Sequence, residues 1–126
     1  MSNIELNKDI GIRLKSVRLI CNEGTYFTVK QFAHLLNITT ERLLNYESGR
    51  SELPINVLIE LYNRGINPIF LLTGEGEVFT KNDIGKSLKD KILNKNIDYK
   101  LAIENTLSNF YKKDRKIKNL NKFNIF

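Results

Sequence analysis

The sequence predicts an all-α protein, with five short helices in residues 1–79 and a helical extension over residues 80–126. Three observations predict it. Between Thr28 and Arg50, turn chemistry and apolar spacing describe two short helices meeting at a tight corner. Downstream, Pro54, Gly65, Asn67-Pro68 and Gly74 supply start and stop signals for two more. Past residue 79, apolar side chains recur twice at helical spacing.

Helix one is expected over residues 6–21, with Ile10, Leu14, Val17 and Cys21 on one stripe. Cys21 is the only cysteine, so it reads as a small buried hydrophobe, and neither an internal disulfide nor a cysteine-cluster metal site can form. Helix two has three agreeing start signals. Thr28 is the N-cap, Gln31 its capping-box partner, and Phe27 and Phe32 form the hydrophobic staple. Val29, Phe32, Ala33 and Leu36 then form the inward stripe. Asn37 falls where a left-handed residue turns the corner, since its short polar side chain tolerates positive φ. Thr39 caps helix three, with Ile38 and Leu43 as its staple, and Gly49 ends it after Ser48. Burying Leu43 and Tyr46 or Glu47 leaves Thr40, Glu41, Leu44 and Asn45 pointing outward.

Helix four is expected to begin at Pro54 as a first-turn residue, to face inward with Val57, Leu58, Leu61 and Tyr62, and to close at Gly65. A short helix over residues 69–72 follows, capped by Asn67 with Pro68 at its first position and ended by Gly74. Residues 73–77 are glycine-rich but lack the Lys and Ser/Thr of a phosphate loop. In the extension, Ile84, Leu88, Ile92 and Leu93 form one stripe, weakened by Gly85. Tyr99, Ile103, Leu107, Phe110 and Tyr111 form a second, which Asp98 can cap. These stripes exceed what a small core needs, so they pack on it or meet a second copy. Residues 112–126 mix cations with apolar residues, as in a nucleic-acid-binding arm, a helix completed in a dimer, or a frayed end.

The stretch TVKQFAHLLNITTERLLNYESGR (residues 28–50) resembles the Cro/CI-type, XRE-like helix-turn-helix of phage and bacterial repressors. Upstream, IGIRLKSVR is similar to that family's first helix. Downstream, LPINVLIELYNRGINPIFLLTGEGE looks like its fourth and fifth helices, so the likeness covers about residues 9–79. Its specificity lies in the YExGR segment and the LLTGEG run recurring together. The sequence departs from the pattern at Asn37, where Gly is usual, at Leu44, where a polar residue is usual, and in a longer loop at 22–27.

The resemblance implies a five-helix, lambda-repressor-like DNA-binding domain over residues 1–79 and a dimerising tail over 80–126. It implies a sequence-specific regulator, a repressor that binds a palindromic operator as a homodimer with helix three in the major groove of double-stranded DNA. Thr40, Glu41, Leu44 and Asn45 would then face base edges, with Arg42, Arg50, Thr28 and Lys30 toward phosphates. Arg18 and Glu47 would form a partly buried salt bridge fixing helix three against helix one. An antitoxin or protein-interaction module, its tail binding a protein partner, is the alternative reading.

Charge placement fits either. Residues 1–79 hold eight Lys/Arg against nine Asp/Glu, a net −1, whereas residues 80–126 hold twelve against five, a net +7. A tail this basic can supplement a weakly charged reading head. No apolar run approaches the ~20 residues of a membrane span, and no secretory leader opens the chain, so a cytoplasmic location is expected. His34 is the only histidine, and neither a catalytic triad nor a metal-ligand set is present in the sequence, so neither an enzyme nor a cofactor is expected. The family's longer members carry a self-cleaving Ser/Lys peptidase domain, for which residues 80–126 are too few.

Overall fold

A computed structural model describes the backbone of residues 3–124 and the side chains of residues 5–111. The described chain is all-α, with seven helices and no strand: α1 Asn3–Arg18, α2 Val29–Leu35, α3 Thr40–Ser48, α4 Ile55–Asn63, α5 Pro68–Thr73, α6 Asp83–Leu93 and α7 Tyr99–Asn124. Among them, no helix is long and apolar enough to cross a membrane. α1 is the central element, with α3, α5 and α7 all packed against it. Its Leu14 and Val17 are fully buried.

α1 stops at Arg18, three residues before the expected end. Leu19, Ile20 and Cys21 continue as turns, and the chain then reverses over Asn22–Thr25, whose backbones bond mutually at 3.1 and 2.9 Å. Glu23 and Gly24 occupy left-handed conformations there, φ 50° and 92°, the pairing of a tight two-residue reversal. Cys21 is buried, and that burial pushes its thiol well above the usual thiol range. A disulfide reagent at pH ~8 should therefore react with the folded chain about a hundredfold more slowly than with the urea-unfolded chain. Equal rates would show the thiol to be accessible.

The α2–α3 corner follows local rules. Thr28 accepts from Gln31 N–H at 3.1 Å while the Gln31 side chain accepts from Thr28 N–H at 3.0 Å. Phe27 and Phe32 stack with centroids 5.8 Å apart. Asn37 turns the chain at φ 60°, and Ile38 N–H donates to the Ala33 carbonyl across the corner. Thr39 caps α3 by accepting from Arg42 N–H, and Gly49 ends it at φ 79°.

Two expectations for α4 are corrected. Pro54 is its N-cap, at ψ 157°, instead of a first-turn residue, and its carbonyl accepts from Val57 and Leu58. Tyr62 is 47 % exposed. It lies about 140° around the helix from Val57, too far to share the inward face. α5 is built as anticipated: Asn67 accepts from Ile69 N–H, Pro68 takes the first position, and Gly74 closes it at φ 76°.

The extension joins the same core. Ile92, Tyr99 and Ile103 are buried with the side chains of α1–α5, and Tyr99 meets Phe79 edge-on at 4.9 Å. Asp98 caps the start of α7 by accepting from Leu101 N–H. The Tyr111 hydroxyl donates to Asp9 at 3.0 Å, tying α7 to α1. Burial first, then that bond to Asp9, holds the hydroxyl's pKa above its ordinary value. On α6 the expected stripe narrows, because Ile84 and Leu93 are 52 % and 44 % exposed. Gly85 is also not a weakness. A Cβ there would overlap the Thr80 carbonyl, and its N–H donates to Asn82, the α6 N-cap. The side chains of residues 112–126, for which an arm, a dimer helix or a frayed end was expected, lie outside the described residues.

Candidate nucleic-acid interface

α3 is held on its inner side by Leu43, fully buried, and by Tyr46. The remaining anchor is ionic. The Arg18 Nε and Nη2 donate to the two Glu47 carboxylate oxygens at 2.7 and 3.0 Å, a bidentate fork with side chains only 9 % and 7 % exposed. The third guanidinium donor, Nη1, reaches the Phe27 carbonyl at 2.9 Å. One arginine thus links α1, the residue leading into α2, and α3. Planar, multiply donating Arg suits this task where a Lys point charge would not.

The opposite side of α3 is open. Thr40, Glu41, Leu44 and Asn45 span about 140° of its circumference. The first three are exposed and Asn45 is half-buried. The Asn45 carbonyl is engaged with Arg50 N–H and Ser51 N–H at 3.0 and 3.3 Å, closing the corner after α3. Its side-chain amide has no hydrogen bond among the described residues, and this leaves a donor and an acceptor facing outward. Glu41 lies in the first turn of α3, where the helix dipole favours an acid. Leu44, 51 % exposed, sits at the centre of this surface.

Thr28, Lys30, Arg42 and Arg50 are all exposed. The Thr28 hydroxyl oxygen is committed to Gln31 N–H, so its own hydrogen is free to donate. The first-turn N–H groups of Val29 and Lys30 have no intrahelical partner by helix geometry. Sequence reasoning missed Lys8. Its backbone passes so close to Gly49 that a Cβ on that glycine would lie 2.7 Å from Lys8 Cα, which sets an exposed cation beside the end of α3 next to Arg50. Only the tertiary crossing of α1 and α3 reveals it. Sequence reasoning also missed Gly11, at the same crossing, where a Cβ would overlap the carbonyls of Tyr46 and Glu47.

His34 is exposed on α2. Among the described residues, no group of three His, Cys, Asp or Glu side chains gathers to hold a metal ion. No family model, curated protein or solved structure matches the chain.

Proposed function

We propose that this chain is a sequence-specific DNA-binding transcriptional regulator of the Cro/CI type, a repressor that reads a palindromic operator as a homodimer. In this reading residues 1–79 are a lambda-repressor-like helix-turn-helix domain in which α2 and α3 form the motif. The observation that carries it is the mounting of α3: clamped on one side through Leu43, Tyr46 and the Arg18–Glu47 fork, and presenting uncommitted polar groups on the other. A rigid helix with a free polar face is what major-groove readout requires.

Asn45 would take adenine through its paired amide donor and acceptor. Glu41 would accept from a cytosine amino group, Thr40 would contact either, and Leu44 would meet a thymine methyl. Arg42 and Arg50, with Thr28 and Lys30 at the start of α2, would hold the phosphates on either side. The basic residues of the extension would add affinity without specificity. Half-exposed Leu44 favours a second reading, a protein-interaction module in which α3 presents an apolar knob to a partner protein.

Genomic fragments recovered on the protein at about 150 mM salt should share an inverted repeat, with half-sites roughly 34 Å apart. Asn45→Ala should lower affinity for that repeat roughly ten- to a hundredfold while leaving bulk DNA affinity unchanged. Recovery of no common sequence, or a repeat bound equally by Asn45→Ala, would move the function to the tail or to a protein partner.

A further inference from the structure

A hollow of about 300 Å³ lies between α2, the end of α4 and α6. Its floor is apolar and shut off from solvent, since Phe32, Leu36, Leu61 and Ile66 are all buried. Ile84 and Leu88, one turn apart on α6, form the outer wall, with Ile84 half-open to solvent. The backbone explains why the space stays open. Gly65, just past α4, meets α6 so closely that a Cβ on it would lie 3.1 Å from the Gly85 Cα. The two segments are pinned at that point, yet α6 packs closely against neither α2 nor α4 along the rest of its length. The rim is polar. Asn63 and Arg64, the last residue and the C-cap of α4, border the opening. Among the described residues that line the hollow, Arg64 is the one charged group. Its guanidinium reaches Glu60 only at 3.8 Å, with both side chains more than a third exposed, so an incoming anion competes readily for it.

We infer that this hollow binds a small amphipathic carboxylate, its hydrocarbon body on the apolar floor and its head on Arg64, with the Asn63 amide as a second donor. Size, lining and charge each select that occupant. The volume stands at the lower end of small-molecule sites, roughly 300–1,000 Å³. An apolar floor suits a hydrocarbon and gives a peptide backbone no hydrogen-bond partners. The guanidinium fork matches a planar carboxylate through paired N–H donors. A single cation also balances a single negative charge, whereas a phosphate would leave its second charge unmatched. α2 supplies Phe32, Leu35 and Leu36 to the walls, so an occupant bears on the first helix of the motif. That consequence rests on the DNA-binding reading, and the site itself does not.

Calorimetric titration of the full chain with decanoate tests the inference. The wild type should bind it with a Kd below about 100 µM. Decanol and decylamine should each bind at least about tenfold more weakly, since neither offers Arg64 an anion. Arg64→Gln should weaken decanoate binding at least about tenfold and bring it level with decanol. Ile84→Trp, at an exposed position, should fill the hollow and abolish decanoate binding. Leu93→Trp, on the opposite side of α6, should leave the Kd within about twofold. Should Ile84→Trp lose its helical circular dichroism, Ile84→Glu, which sets a like charge at the mouth, replaces it with the same expectation for decanoate. No binding to the wild type, equal affinity for the three head groups, or decanoate binding untouched by the Arg64 or the Ile84 variant overturns the inference.

Discussion

Glu47→Ala is expected to lower stability by about 3–5 kcal/mol, because it leaves the Arg18 guanidinium buried without its counter-charge. For a chain of this size the melting temperature should fall by roughly 10–20 °C. The fork satisfies two of the three guanidinium donors that the structure engages, at 2.7 and 3.0 Å, and both side chains are more than nine-tenths removed from solvent. Replacing both partners, Arg18→Met with Glu47→Leu, should restore most of that loss, since the pair's attraction and its desolvation nearly cancel. Under the DNA-binding proposal, the double variant would keep its melting temperature within a few degrees of wild type and still lose affinity for operator DNA, because packing of Leu43 and Tyr46 alone would hold α3 without the directional bonds that tie it to α1 and to the Phe27 carbonyl. A double variant that binds operator normally would show that the fork serves stability alone. Circular dichroism melts and operator titrations of the two variants separate the outcomes.

Gly11→Ala is the second large effect. A Cβ at residue 11 would overlap the carbonyls of Tyr46 and Glu47, which are backbone atoms of α3 and cannot swing aside as a side chain would. Relief requires α3 to move away from α1. The strain should destabilise by about 1–3 kcal/mol, even though Ala is better than Gly by about 1 kcal/mol in a helix interior. A control on the exposed side of α1, Lys15→Ala, should change stability by no more than about 0.5 kcal/mol. A Gly11→Ala protein as stable as or more stable than wild type would mean that α1 and α3 approach less closely than described.

Both effects centre on one crossing, and the sequence revealed the two sides of it unequally. Arg18 and Glu47 stand among other charged and polar residues of their helices, and it was the likeness to repressors that drew attention to them as a pair. Gly11 gave no sign. It stands beside Ile10 in a helix whose stripe is readable without it, and nothing within four residues explains why a side chain is forbidden there. The outward face of α3 was legible because turn chemistry fixed where the helix begins, and the 100° step per residue then fixed which side chains share a face.

The sequence by itself determined the corner at Asn37, the caps at Thr28, Thr39 and Asn67, and the stops at Gly49 and Gly74. Each depends on a hydrogen bond or a φ angle set within three or four residues, so the local chain carries all the information needed. Only the tertiary structure decided that Tyr62 faces outward, that Gly85 admits the Thr80 carbonyl, that Lys8 comes to Gly49, and that Tyr111 bonds to Asp9 across 102 positions. Helical periodicity shows that a face is apolar without showing which helix will cover it. That choice is made by shape and close approach between segments far apart in the chain, and α4 carries its consequence, one apolar side buried in the core and the other left open.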